Sequence, residues 1–180
     1  MSLLQKAIYF GPFLVTPQVF HLTPLTFALV NLKPILPGHV LVSPVRVVPR
    51  VSDLTPAEAT DLFLTVQRVG KMVERVYGAT SLNIAIQDGS EAGQSVPHVH
   101  AHIIPRRKQD LDSRGGMDAV YELMDGEEGD IGHFQREKEA QGGLRSRTNF
   151  PAVDNEARRP RSDEEMRAEA EMLAREMQMI

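Results

Sequence analysis

The chain predicts an α+β domain in which short antiparallel strands carry one long helix on a face. Residues 26–31 and 39–43 read as two short strands joined through Lys33-Pro34-Ile35-Leu36-Pro37-Gly38, a proline and glycine connection that favours antiparallel pairing. Residues 55–78 carry a helical apolar period with a signal at each end. Residues 81–87 and 97–105 both alternate and are joined by a polar, glycine-bearing loop, as a hairpin requires.

In order along the chain, residues 7–22 mix aromatic and aliphatic side chains with Gly11, Pro12 and Pro17, predicting irregular extended chain and a short strand over Val19–Leu22. The runs Thr26–Asn31 and His39–Ser43 form the first strand pair. Thr55-Pro56-Ala57-Glu58 then supplies a capping threonine, proline at the first helical position and glutamate three after the cap. Ala59, Leu62, Val66, Val69, Val73 and Val76 follow at three- and four-residue spacing, and Gly78 is placed to stop the helix. In Ser81–Gln87, Leu82, Ile84 and Ile86 share one face while Asn83, Ala85 and Gln87 share the other. Beyond Arg106 the composition turns polar and charged. Residues 106–149 read as a flexible surface insertion with a short helix over Met117–Met124. Ser162-Asp163-Glu164-Glu165 opens a last helix, with Met166, Ala170, Leu173 and Met177 on one face. The expected organisation is thus a core over 1–106, an insertion over 107–149, and a C-terminal helical segment over 150–180 that packs on the core.

The composition narrows the function. A chain of 180 residues can bury a sizeable core. Its formal charge of -4 gives no bulk attraction to nucleic acid or an anionic membrane, so an anionic ligand must be held locally. There is no cysteine, which removes disulfides, thiolate ligands and a cysteine nucleophile. The first ten residues lack a basic start and a long apolar run, so no signal peptide is expected. A soluble intracellular protein follows.

The chemistry concentrates in Pro97–Pro105, reading Pro-His-Val-His-Ala-His-Ile-Ile-Pro, which holds three of the six histidines. On a strand, His98, His100 and His102 project from one face while Val99, Ala101 and Ile103 pack into the core, and Pro105 ends the run. One metal held by all three is disfavoured, since a straight strand spreads them over about 13 Å while zinc–nitrogen bonds are ~2 Å. Two of them with a remote His39, His21 or carboxylate remain a metal reading. Solvated histidines on an exposed strand are the plain alternative. The reading that uses the whole stretch is nucleophilic catalysis on a phosphoryl group. Neutral imidazole is a good nucleophile, and the loop before it offers amides of Gly93, Gln94 and Ser95 plus a hydroxyl as a phosphate cradle. The cluster Arg106-Arg107-Lys108 reads as a solvated charge run.

His98-Val99-His100-Ala101-His102-Ile103-Ile104 is a complete His-φ-His-φ-His-φ-φ signature, φ being apolar, and resembles the histidine triad superfamily. The stretches Phe27–Asn31, Pro37–Val42, Gln67–Gly70, Gln87–Gly89 and Glu91–Gln94 are similar to the fragile histidine triad branch, the dinucleoside triphosphate hydrolases. Phe150-Pro151 and Arg161–Met166 also resemble that branch. The resemblance implies a five-stranded antiparallel sheet, continued across a homodimer, and cleavage of diadenosine triphosphate to AMP and ADP. It implies Mg2+ or Mn2+ carried by the substrate rather than a tightly bound protein metal, and a cytoplasmic location extending to the nucleus. His100 is implied as nucleophile, His102 as donor to the phosphoryl oxygens, and His98 as the residue orienting the nucleophile, with His39 behind it. Asn31 is implied at the ribose, Gln87, Gln94 and Ser95 at the phosphates with amides of Gly93 and Val96, and Phe10, Val15, Leu29 and Leu41 around the adenine. Other triad chemistries, phosphoramidate hydrolysis or nucleotidyl transfer, and a nucleotide-binding signalling module are the alternatives. Ser95 stands where the branch commonly has threonine, Pro97 replaces a residue more often polar, and Tyr121 resembles a tyrosine linked to signalling.

Overall fold

Strand pairing decides the architecture. The computed structural model describes residues 6–125, 136, 140 and 161–180. Strands β1 (Tyr9–Phe10) and β2 (Phe13–Leu14) form a small hairpin. Strands β3 (Val19–Leu22), β4 (Thr26–Val30), β5 (Val40–Pro44), β6 (Ser81–Ile86) and β7 (Ala101–Arg106) form a five-stranded sheet in the order β3-β4-β5-β7-β6. Every pairing in it is antiparallel. The expected pair of residues 26–31 and 39–43 is β4 with β5, in register from Thr26 opposite Pro44 to Val30 opposite Val40.

Helix α1 (Pro56–Tyr77) begins where its cap predicts. The Thr55 hydroxyl accepts from the Glu58 N–H, and the Glu58 carboxylate accepts from the Thr55 N–H at 2.8 Å. The same carboxylate takes a two-point grip from Arg46, both contacts 2.7 Å. Gly78 stops the helix in the left-handed conformation, φ 59°. Leu62, Val66, Val69, Met72 and Val73 of α1 meet Ala28, Val30, Val40, Val42, Ala101 and Ile103 of the sheet in one buried cluster. Helix α3 (Asp163–Met177) closes this cluster with Met166, Ala170, Leu173 and Met177, the four residues its period predicts.

Two expectations about chain segments are corrected. Residues 107–125 are not a loose insertion: the short helix expected over Met117–Met124 is α2 (Ala119–Asp125), and it buries Ala119, Val120 and Met124, with Leu111, against Ile35 and Ile104. The charged composition hid four apolar residues that suffice to hold a short segment on the sheet. Residues 126–135, 137–139 and 141–160, where the rest of the expected insertion and the start of the expected C-terminal segment with Phe150-Pro151 fall, lie outside the described residues. Nor does Pro105 end its strand, which continues to Arg106. Pro105 sits opposite Leu82 beyond the last β5 partner, Ile103, so the missing N–H falls where the strand is already paired on one side only.

The sheet therefore has one face covered by α1 and α3. Its other face carries two separate apolar clusters. Phe10, Phe13, Val15, Phe27, Leu29, Leu41 and Val96 gather at one end. The α2 cluster occupies the other. Side chains alternate along β7, so His102 emerges on this second face. Among the described residues no helix is long and apolar enough to cross a membrane.

Candidate active site

The triad runs between those two apolar clusters. Only His102 lies on the paired part of β7; His98 and His100 precede it, because the pairing with β5 stops at Val42 opposite Ala101 although β5 runs on to Pro44. Other partners replace the ladder there. The Val99 N–H donates to the Val48 carbonyl at 2.8 Å, and the Ser43 hydroxyl donates to the Val99 carbonyl at 2.7 Å. Alternation survives this change: Val99, Ala101 and Ile103 enter the α1 core. His98, His100 and His102 are each no more than 1% exposed. Burial of polar rings at this level demands partners, and the partners assign the protons.

A carbonyl accepts, so His98 Nε2, 2.8 Å from the Pro44 oxygen, carries a proton. Its Nδ1 then accepts from the Gly11 N–H at 2.9 Å. His100 Nδ1 lies 2.7 Å from the His98 carbonyl and is likewise protonated, which leaves the lone pair on Nε2. A relay fixes His102. His39 Nδ1 accepts from the Ile35 N–H at 3.1 Å, so the His39 proton sits on Nε2 and points at His102 Nδ1, 3.0 Å away. His102 must therefore hold its own proton on Nε2. That buried nitrogen has no hydrogen-bond partner among the described residues. The site thus pairs a free imidazole lone pair with an unpaired N–H, on rings whose centroids are 5.0 Å apart.

Electrostatics keep all four rings neutral. Burial lowers His98 to about 4 and His39 to about 3, with His100 adding to both and Arg161 to His39. Burial also lowers His100, and lowers His102 well below the usual imidazole range. Among the described residues no three His, Asp or Glu side chains are grouped to hold a metal ion.

The remaining predicted residues divide. Phe10, Val15, Leu29, Leu41 and Val96 do come together, in the apolar cluster beside the triad, where the Phe10 ring stands edge-on to His100 with centroids 5.0 Å apart. Asn31 is buried near His39, and its Oδ1 accepts from the Lys33 N–H at 3.0 Å. His39 does not stand behind His98 as expected. It touches His102, because the turn before β5 delivers it next to Val40, whose partner is Ile103. Gln87 is buried, with Nε2 3.4 Å from both the Met124 carbonyl and the Asp125 carboxylate of α2. Gln94 is used by the main chain: Oε1 accepts from the Gly89 N–H of its own loop, and Nε2 donates to the Pro49 carbonyl of the segment after β5. Gly93, at φ +85°, holds a backbone conformation that side-chain-bearing residues rarely adopt, and a Cβ there would stand 2.4 Å from Gln87 Nε2 and displace that side chain. Ser95 is half-buried in the same loop. The groups that sequence reasoning missed are main-chain ones, the Gly11 and Ile35 amides and the Pro44 carbonyl, which no residue type signals.

The family model of the HIT domain matches residues 15–109, from the start of the sheet to just past the triad. The chain belongs to the HIT-domain family. Within that family it is 48% identical over 172 residues to the asymmetrical bis(5'-nucleosyl)-tetraphosphatase of Schizosaccharomyces pombe, covering 93% of each chain. It is 50% identical over 133 residues to a bis(5'-adenosyl)-triphosphatase of Dictyostelium discoideum, covering 73% of this chain and 87% of that one. Among solved structures, the diadenosine triphosphate hydrolase of Plasmodium falciparum superposes with a TM-score of 0.58 at 35% identity, covering 74% and 87%. The C. elegans NitFhit protein superposes at 0.65 and 35% identity, covering 96% of this chain and 30% of that one. This HIT protein thus keeps the sheet, the triad and the C-terminal helix in a single described unit.

Proposed function

We propose that this HIT protein hydrolyses dinucleoside polyphosphates, cleaving diadenosine triphosphate to AMP and ADP through a covalent nucleotidyl group on His100. The observation that carries the reading is the proton assignment: His100 Nε2 keeps its lone pair while the neighbouring His102 Nε2–H meets no acceptor among the described residues. His100 Nε2 attacks the α-phosphorus; the P–N bond forms, the bridging P–O bond breaks, and ADP leaves with the electron pair. Water then attacks the same phosphorus, the P–N pair returns to His100, and AMP leaves while the water proton passes to solvent or phosphate. His102 donates its N–H to a phosphoryl oxygen as charge builds there, and the His98 carbonyl orients His100 and supports its developing positive charge. The names of the relatives support this substrate class.

The apolar cluster of Phe10, Val15, Leu29 and Leu41 is read as the adenine side of the site, Asn31 as the ribose side, and Gln87, Gly93, Gln94, Ser95 and Val96 as the phosphate side. A divalent ion, Mg2+ or Mn2+, arrives with the polyphosphate as its counter-charge. The edge strand β6, with Ile84 49% exposed, supports pairing with a second copy. The tetraphosphatase name of the relative matched over nearly its full length favours a second reading, in which the tetraphosphate is the better substrate. Both readings share attack at the α-phosphorus.

Cleavage of both substrates in 18O-labelled water tests the reading. Label appearing only in AMP is expected, and label in the other nucleotide would place the attack elsewhere. His100→Asn should lose several orders of magnitude in turnover. A variant with near wild-type turnover would remove the covalent route.

A further inference from the structure

Both ends of the His39 relay are inside the matched domain, but one charged side chain that supports it is not. Arg161 precedes the α3 cap, far beyond residue 109. Its Nε donates to the main-chain carbonyl of Asn31 at 3.0 Å, and Nη2 donates to the same oxygen. Its own N–H donates to the Leu32 carbonyl at 3.0 Å. Nη1 pairs with Glu169, whose other oxygen accepts from the Tyr77 hydroxyl at 2.6 Å. The ends of α1 and α3 are thus tied to the point where β4 gives way to the loop that carries Ile35 and His39.

We propose that Arg161 is a positioning residue for His102: gripping the Asn31 carbonyl, it holds His39 in the orientation that delivers its single Nε2 proton to His102. The proposal rests on the reading of His102 as donor to the phosphoryl group. A second proton on His39 would set its Nδ1–H against the Ile35 N–H and break the relay. The groups in contact with His39 are the His102 ring from β7, the Ile35 N–H and the Asn31 side-chain amide, and the His100 ring and the Arg161 guanidinium act on it by charge. Glu169 and Tyr77 stand behind Arg161. The one anion among these, Glu169, is already paired with Arg161, so none of these groups favours a charged His39. Arg161 opposes it.

The test combines imidazole 15N NMR with turnover in Arg161→Gln and Arg161→Lys, and uses Arg75→Gln as control. Arg75 ties α1 to Glu176 of α3 at 2.6 Å without approaching the site. Arg161→Gln should raise the His39 titration midpoint, move the acid limb of kcat to higher pH and lower kcat about tenfold, with little change in KM. Arg161→Lys, which keeps the charge but not the two-point grip, should hold the acid limb near wild type and keep part of the kcat loss. Arg75→Gln should leave the midpoint and the profile unmoved. Wild-type kcat and an unmoved His39 midpoint in Arg161→Gln, whatever its thermal stability, would reduce Arg161 to a tether. A Lys variant with full kcat would do the same even where the Gln variant does not fold. Should the wild type fail to cleave diadenosine triphosphate, the functional reading falls while the NMR midpoint still decides the grip.

Discussion

At the scale of single residues, the site depends on keeping imidazoles neutral in a buried row. A neutral ring offers one lone pair and one proton, and the main chain determines which nitrogen has which. The same burial makes the fold sensitive to acid. His98 titrates near 4 and His39 near 3 in the folded chain, against 6.5 unfolded. Between those values and 6.5 the unfolded chain binds protons that the folded chain does not, so stability falls as pH drops through this window. The slope approaches about 1.4 kcal/mol per pH unit for each such histidine. The urea midpoint should therefore be clearly lower at pH 5 than at pH 7, while most carboxylates remain ionised at both. An equal midpoint at the two values would show that the rings are less buried than described. The histidine types and their alternation were legible in the sequence. Their proton assignments were not, because the deciding partners are main-chain groups of Gly11, Ile35 and Pro44, distant in the chain and anonymous by residue type.

At the scale of elements, local signals read well where a cap or a period marks them. Both capping boxes and the apolar stripe of α3 are where the chain predicts. The end of β7 and the fate of residues 107–125 were less legible, for a shared reason. A proline is judged from sequence without knowing on which side its strand is paired, and a polar segment is judged by average composition. The short helix itself was expected over Met117–Met124; what average composition did not show is that Val120 and Met124, four apart, pack it with Leu111 onto the sheet. The loop between β6 and β7 offers a test of how tightly the elements set the site. Gly93→Ala would place a residue in a left-handed conformation, costing about 1–3 kcal/mol, and would push the Gln87 side chain aside. We expect the loop to move rather than the core to unfold, raising KM for diadenosine triphosphate more than it lowers kcat. A lowered kcat at constant KM would show that Gly93 serves the reacting groups instead.

At the scale of the whole molecule, one sheet separates two tasks. Its α1 and α3 face supplies the continuous core, and its other face is left free for chemistry between two smaller apolar clusters. The open edge at β6 is the natural place for a second copy to continue the sheet. Sedimentation should therefore find a dimer, and Ile84→Lys should shift it towards monomer; a wild-type monomer at micromolar concentration would remove that expectation. Two displacements at one phosphorus, joined by a group on His100, remain the centre of the account. The stereochemical course decides this most directly, using diadenosine triphosphate made chiral by sulfur at the α-phosphorus and cleaved in 18O-labelled water. Two successive inversions predict net retention of configuration in the AMP thiophosphate. Net inversion would mean that water attacks the substrate directly and that His100 is no nucleophile.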